Sequence, residues 1–154
     1  MRGSYILVIE MRRPTSIGIG SLGNLYFDRG YYCYVGSAMG KGRSLETRIS
    51  RHLIGEKKLR WHVDYLLSSK ESEIVLILCF KGKRRMECEL ARKLSRFASS
   101  FVPKFGSSDC KCKSHLFYFS DHYKLCDALA SLSTARAKIA MTGKTEGLRR
   151  IRMV

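Results

Sequence analysis

The stretch that decides the fold is Gly30–Leu53, GYYCYVGSAMGKGRSLETRISRHL. Its aromatic and β-branched start predicts a strand that breaks at Gly36–Ala38, before a basic, glycine-rich loop. We expect Ser44 to cap a helix over residues 45–54. A strand, a glycine turn and a basic helix start are typical of an anion site, because free N–H groups and the helix dipole point the same way. Within that helix Arg48 and His52 are four residues apart and share one face.

The charge of the chain favours a polyanionic partner. There are 29 Lys and Arg residues against 13 Asp and Glu residues, a net charge of +16 over 154 residues. Such an excess is typical of nucleic-acid-binding proteins, although a basic protein without catalysis, such as a ribosome-associated one, fits it too. The length fits one domain, and a hydrophobic fraction of 45% is enough for a core.

The sequence gives no sign of a membrane partner. Its first apolar run, Tyr5–Ile9, is too short for a signal peptide, and no run approaches the ~20 apolar residues of a bilayer span. We therefore expect a cytoplasmic protein whose six cysteines are mostly reduced.

The rest of the chain alternates between strands and helices. The first part predicts an antiparallel meander, with a strand over residues 3–9, a hairpin of residues 17–20 and 25–27, and then the aromatic strand. The apolar run Ile74–Phe80 predicts a buried central or parallel strand, and residues 115–120 predict an alternating strand. Further helices are expected over residues 61–67, 86–99 and, capped by Asp121, up to residue 132.

These elements predict an α/β protein of the α+β type, with a small, mostly antiparallel central sheet flanked by helices. We expect a single domain over residues 1–139 and a basic, mobile tail over residues 140–154. In the helix of residues 86–99, Glu87 lies at the edge of the apolar face and Glu89 lies on the solvent side.

Two further groups of residues could carry chemistry. Cys110, Cys112 and His115, preceded by Asp109, form a C-x-C-x2-H pattern that could bind zinc. The spacing is tight and no second cysteine pair answers it, so zinc is not expected and we favour a packed loop with buried thiols. In the WHVD stretch, His62 and Asp64 either line a site or bond to the backbone.

In order along the chain, these residues resemble the signatures of the GIY-YIG nuclease family. The two signatures stand here as Gly3-Ser4-Tyr5 and Tyr34-Val35-Gly36, followed by Arg48 with His52 and by Glu87 at the start of a helix. The chain is most similar to an uncharacterised archaeal and bacterial GIY-YIG-like subgroup. Its marks are YVGSA, R-x3-H, WHVDYLL and FGSSDCKCKSHLFYF, and the resemblance covers roughly residues 3–119.

The resemblance implies a GIY-YIG-like domain with a metal-dependent DNA endonuclease activity, structure-selective or repair-type. Tyr5 or Tyr34 would activate or position water, Arg48 would clamp the phosphate, and His52 would shuttle a proton or steady that phosphate. Glu87 would hold one Mg²⁺ or Mn²⁺ ion. The expected nucleic-acid-binding residues are Ser37, Lys41, Arg43, Arg51, Lys57, Lys58 and Arg60. The secondary candidates are His62, Asp64, Asp109, Cys110, Cys112 and His115.

The chain departs from the family at two positions of the site. Ser37 stands where many family nucleases carry a lysine, with Lys41 further along, and the family's asparagine has no clear counterpart near Gly106–Asp109. The alternative function is therefore a non-catalytic nucleic-acid-binding module with a degenerate GIY-YIG site. A small-molecule enzyme that uses the Cys/His loop is a third possibility, and the choices between DNA and RNA and of any protein partner stay open.

Overall fold

The computed structural model describes residues 1–132, 137–141 and 152–153. The strands are β1 Gly3–Met11, β2 Thr15–Gly18, β3 Asn24–Phe27, β4 Gly30–Ala38, β5 Ser72–Lys81, β6 Ser100–Phe101, β7 Leu116–Phe119, β8 Ala137–Met141 and β9 Arg152–Met153. The helices are α1 Leu45–Leu53, α2 His62–Leu67, α3 Glu87–Ser95 and α4 His122–Leu132. None of the helices within these ranges combines the length and apolar character that a bilayer span requires.

The main sheet is antiparallel throughout, in the order β6-β7-β4-β1-β5-β8-β9, and β2 with β3 forms a separate hairpin. The predicted α+β class is therefore confirmed. The parallel alternative for Ile74–Phe80 is wrong, because β5 pairs antiparallel with β1. The expected break at Gly36–Ala38 is also wrong, since these residues continue β4 opposite Gly3–Tyr5.

Apolar side chains cover both faces of β1, which is the centre of the molecule. Its odd-numbered residues from Tyr5 to Met11 pack with α1, α2 and the hairpin, whereas Ile6 and Val8 pack with α3 and α4. Because β1 is buried on both faces, its sequence is a nearly continuous apolar run, as is typical of a strand in the middle of a sheet. The helices thus form one layer on each side.

The C-terminal end of α3 shows how a tertiary contact decides where a helix ends. We expected α3 to reach residue 99, but it ends at Ser95. The Ser99 N–H donates to the Tyr118 carbonyl at 2.8 Å and the next residues form β6, which redirects the chain to the sheet edge.

The predicted cap of α4 is present, because the Tyr123 N–H donates to Asp121 Oδ1 at 2.7 Å.

The tail expected over residues 140–154 lies largely outside the described residues. Its first two residues end β8, and residues 152–153 form β9 beside it. The boundary that we placed after residue 139 therefore falls inside a strand.

A buried serine fixes the start of α3 on the sheet. Ser4 is fully buried in β1, and its Oγ accepts the Met86 N–H at 3.1 Å. No side chain of the helix itself caps this end. Ser4 thus replaces a local N-cap and holds the first turn of α3 against β1.

We expect Ser4→Ala to lower the free energy of unfolding by about 1 kcal/mol, because the Met86 N–H loses its buried acceptor. Urea denaturation of this variant and of Ser50→Ala, an exposed serine on α1, provides the comparison. Equal stability of the two variants would contradict the cap.

Candidate functional site

The register of β1 and β4 brings two tyrosines together. Tyr5 pairs with Gly36 and Leu7 pairs with Tyr34, so the two tyrosines are diagonal neighbours on one face, with ring centroids 6.4 Å apart. Gly36 leaves space for the Tyr5 ring, because a Cβ at this position would lie 2.5 Å from the Tyr5 hydroxyl oxygen. Both side chains therefore reach the same end of the sheet.

His52 lies behind Tyr5. Its Nε2 is 2.6 Å from the Tyr5 hydroxyl, and the imidazole is 3% exposed. Burial lowers the pKa of His52 to about 3, so the ring is neutral at neutral pH, and burial also raises the pKa of Tyr5. The expectation that His52 could steady a phosphate is corrected, because the ring does not line the cleft described below. It is a hydrogen-bond partner of Tyr5.

Arg48 is held by stacking. Its guanidinium carbon lies 4.4 Å from the centroid of the Trp61 ring, and that of Arg51 lies 4.2 Å from the same centroid. Among the described residues no carboxylate forms an ion pair with Arg48. Its charge is therefore positioned by an aromatic ring and remains available to an anion.

The guanidinium of the half-buried Arg51 is engaged within the protein, which corrects its predicted role in nucleic-acid binding. It donates two hydrogen bonds, of 2.7 and 2.9 Å, to the fully buried carboxylate of Asp64 and a third to the Lys58 carbonyl. Asp64 also accepts the backbone N–H groups of Arg60 and Trp61. Of the two alternatives for Asp64, it bonds to the backbone, and it fixes the start of α2.

Lys57 is likewise corrected. Its Nζ donates to the carbonyl oxygens of Arg51, His52 and Ile54, each at 3.0 Å, and so caps the C-terminal end of α1. The ammonium is therefore engaged within the protein.

The carboxylate of Glu87 faces the tyrosines, whereas that of Glu89 faces solvent. Glu87 is half-buried in the first turn of α3, and its Oε2 lies 3.7 Å from His115 Nδ1. Glu89 instead pairs with Arg84 and Lys93 on the outer surface. The difference expected between the two glutamates is thus observed in their placement.

These groups line one cleft of about 360 Å³ at the end of the sheet where β1 begins and β4 ends. We call it the tyrosine cleft. Four of the five residues proposed for catalysis and metal binding line it, all except His52. The lining residues used below are Tyr5, Tyr34, Ser37, Arg43, Arg48, Arg60, Trp61, His62, Arg85, Glu87, Gly106 and Asp109.

The predicted nucleic-acid-binding residues divide into three groups. Ser37, Arg43 and Arg60 line the tyrosine cleft, whereas Lys41 and Lys58 are exposed and do not line it. The charged groups of Arg51 and Lys57 are bound to other groups of the protein. Sequence reasoning missed Arg85 and treated Trp61 only as an apolar residue. Neither residue belongs to the signature motifs named in the sequence analysis, although the run of basic residues before Glu87 indicated a cation near that glutamate.

The loop before β7 also lines the cleft. The Gly106 N–H donates to His62 Nδ1 at 3.0 Å, so His62 both lines the cleft and bonds to the backbone. Gly106 has a φ of +66°, and a Cβ there would lie 3.0 Å from the Tyr34 ring. Asp109, also on this loop, is exposed on the cleft.

Burial and two nearby charges set the pKa of Tyr34. Burial, and next Glu87, raise its pKa, while Arg48 lowers it. Its side chain is 8% exposed, and its hydroxyl has no hydrogen-bond partner among the described residues. The hydroxyl is not one of the fully buried polar atoms that lack a partner. Tyr34 therefore presents a neutral phenol to the cleft.

A Cys/His cluster lies beside the tyrosine cleft and could bind a metal ion. The ligand atoms of Cys88, Cys110, Cys112 and His115 lie within 4.8 Å of one another. No second cysteine pair was expected, and the structure adds a single cysteine, Cys88 of α3, which completes a group of four possible ligands. Burial, followed by the two neighbouring thiols, raises the pKa of Cys112 to about 12.

One comparison with known proteins identifies the family. Residues 4–138 match the family described as the domain of unknown function DUF123. The chain belongs to this family. No curated protein and no solved structure matches the chain. Membership covers most of the described residues, including the tyrosine cleft and the Cys/His cluster.

We expect Gly36→Ala to lower the free energy of unfolding by about 1–3 kcal/mol, because the new methyl group would overlap the Tyr5 ring. Gly55→Ala is the matched control, since nothing lies within 4 Å of the Cβ added there. Chemical denaturation of both variants measures the difference, and a Gly36→Ala protein as stable as the control would contradict this packing.

We expect Arg51→Ala to cost about 3 kcal/mol, because it leaves the buried Asp64 carboxylate without its cation. Arg84→Ala should change the stability by less than about 0.5 kcal/mol, since Arg84 is 80% exposed and its ion pair lies in solvent.

The ion pair of Arg51 with Asp64 predicts that the stability depends on pH. Its hydrogen bonds hold the pKa of Asp64 below the usual 3.8 in spite of burial. The stability that it contributes is therefore complete above that value and declines as the pH falls below it. Unfolding measured from about pH 5 to about pH 3 should show a smaller acid loss in Arg51→Ala than in the wild type. Identical pH profiles would contradict the assignment.

Proposed function

We propose that the chain is a metal-dependent DNA endonuclease that hydrolyses phosphodiester bonds, of the structure-selective or repair type. The observation that carries the proposal is the convergence of Tyr5, Tyr34, Arg48 and Glu87, which are distant in sequence, on the tyrosine cleft. The ordered resemblance of the same residues to the GIY-YIG nucleases supports it.

The arginines of the cleft supply the affinity for phosphate. Arg43, Arg48, Arg60 and Arg85 face only two lining carboxylates, those of Glu87 and Asp109, so the cleft has an excess of positive charge. A guanidinium can donate two parallel hydrogen bonds to a phosphate. Arg48 is the best placed, because the Trp61 ring fixes its plane and no described carboxylate competes for it.

The tyrosines would orient the attacking water. Tyr5 is anchored by His52, whereas the Tyr34 hydroxyl has no partner among the described residues and so can hydrogen-bond to water. A neutral phenol positions water but is a weak base. Burial, and next the charge of Glu87, raise the pKa of Tyr34, so Tyr34 would act as a base only if a cation bound near Glu87 outweighed both.

The oxygen ligands of the cleft fit Mg²⁺ or Mn²⁺. Glu87 and Asp109 both line it, and both raise the pKa of Tyr34, so both carboxylates lie near the phenol. Hard divalent cations prefer such carboxylate oxygens, with water and phosphate completing the shell. When bound, the ion would neutralise charge on the phosphate and lower the pKa of nearby water.

The proposed hydrolysis balances with one water molecule. The water oxygen attacks phosphorus while the bond from phosphorus to the leaving deoxyribose oxygen breaks. The proton that the water gives up to solvent is matched by the proton that the leaving oxygen takes up from solvent. Arg48 would stabilise the charge that develops on the phosphoryl oxygens. His52 is neutral and can accept a hydrogen bond from the Tyr5 hydroxyl, which holds Tyr5 in place without contact between His52 and DNA.

The experiment is nicking of flapped, branched and damaged duplexes with Mg²⁺ or Mn²⁺. We expect Arg48→Ala and Glu87→Gln each to reduce the rate by at least about 100-fold, because each removes charge that the transition state needs. Glu89→Gln and Arg84→Ala, which alter an ion pair that does not line the cleft, should retain the wild-type rate.

DNA binding separates this proposal from the alternative of a non-catalytic module. In both cases affinity falls steeply with salt, since cations neutralise phosphates. In the endonuclease Glu87→Gln abolishes cleavage and preserves or strengthens binding. A wild-type protein that binds DNA but cleaves nothing across the panel, with either metal, would refute the endonuclease and leave the binding module.

A further inference from the structure

We propose that Cys88, Cys110, Cys112 and His115 form a closed, tetrahedral zinc site with a structural role. It is separate from the magnesium or manganese site at Glu87 and does not depend on the proposed nuclease function. Three cysteines and one histidine are a ligand set that zinc favours in structural sites.

The dimensions of the cluster fit zinc. In a tetrahedral site with Zn–S of about 2.3 Å and Zn–N of about 2.0 Å, ligand atoms lie about 3.6–3.8 Å apart. Cys110 Sγ and His115 Nε2 already lie 3.4 Å apart, and all the ligand atoms lie within 4.8 Å of one another. Closure around an ion therefore requires movements of about 1 Å or less.

The protein also builds the site before any ion arrives. The His115 N–H donates to the Phe105 carbonyl at 2.8 Å, and the His115 carbonyl accepts the Val35 N–H at 2.9 Å. These bonds fix a fully buried histidine between the loop and the edge of β4. Cys110 is held by its N–H bond to Ser107, and Cys88 lies in the first turn of α3.

The ligand types separate the two metals. Thiolates select zinc over magnesium and manganese, whereas carboxylates favour the harder ions. Four protein ligands leave zinc no open position for water or phosphate, so this ion would not carry out hydrolysis.

His115 connects the two sites. With zinc on Nε2, its Nδ1 carries a proton and faces Glu87 Oε2 at 3.7 Å. Histidine ligands of metals usually donate their second N–H to a carboxylate or carbonyl, which orients both groups. Glu87 is therefore an orienting neighbour of the zinc site, and it is not one of its ligands.

The test begins with metal analysis of the purified full chain. We expect one zinc ion per chain, and we expect Co²⁺ added to the zinc-free chain to give the visible absorption of a tetrahedral thiolate complex. Cys88→Ser and Cys112→Ser should lose the zinc. Cys126→Ser, which alters an exposed cysteine on α4, should retain it.

A second measurement covers variants that do not fold. In the wild-type chain, alkylation followed by mass spectrometry should find Cys88, Cys110 and Cys112 protected and Cys126 reactive. A zinc chelator should abolish that protection. Glu87→Gln should keep full zinc occupancy at saturation, with an affinity lower by about tenfold.

Four results would overturn the proposal. They are absence of zinc after incubation with stoichiometric Zn²⁺, iron in place of zinc, a disulfide within the cluster of the chain purified under reducing conditions, and loss of zinc from Cys126→Ser. Because zinc content is measured without DNA, an inactive protein that holds zinc would refute only the nuclease. A zinc-free protein that cleaves DNA with Mg²⁺ or Mn²⁺ would refute only the zinc site.

Discussion

The antiparallel pairing of β1 with β4, in the register that sets Tyr5 opposite Gly36, is the constraint on which the rest of the structure depends. A slip of one residue would turn every side chain of β1 to the opposite face and would separate the two tyrosines. The same pairing buries β1 on both faces, and this burial explains why helices cover both sides of the sheet. Ser4, on the face opposite Tyr5, then attaches the start of α3 to β1. One register thus places two tyrosines and a glutamate at the same end of the molecule.

Burial and charge compete within the tyrosine cleft. Desolvation raises the pKa of Tyr5 and Tyr34, and Arg48 opposes it only partly. The free protein therefore holds neutral phenols beside a neutral His52. The two arginines at Trp61 differ in their partners, because Arg51 is paired with Asp64 whereas Arg48 stacks on the ring and pairs with no carboxylate among the described residues. The positive charge of Arg48 is therefore available to an anion.

The first turn of α3 carries, on adjacent residues, the carboxylate of the proposed magnesium or manganese site and one ligand of the proposed zinc site. Glu87 faces the oxygen-lined cleft, and Cys88 joins the Cys/His cluster, with His115 in contact with both. Helical geometry turns successive residues by about 100°, which lets neighbours in sequence serve different sites. The loop before β7 has the same double role, because Gly106 and Asp109 line the cleft while Cys110 and Cys112 belong to the cluster.

The sequence by itself determined most of the elements, but not the short strand β6 or the strands β8 and β9. Alternating and continuous apolar runs marked the strands, Ser44 and Asp121 marked helix starts, and helical spacing separated Glu87 from Glu89. Only the tertiary structure decided which polar groups meet. Arg48 and His52 share one helix face, yet one reaches the cleft and the other is sealed behind Tyr5. Arg51 and Lys57 carry the charge expected of a nucleic-acid surface but are bound internally. Cys88 was missed for the same physical reason. Periodicity is local, whereas a partner across the fold depends on how the helices pack against the sheet.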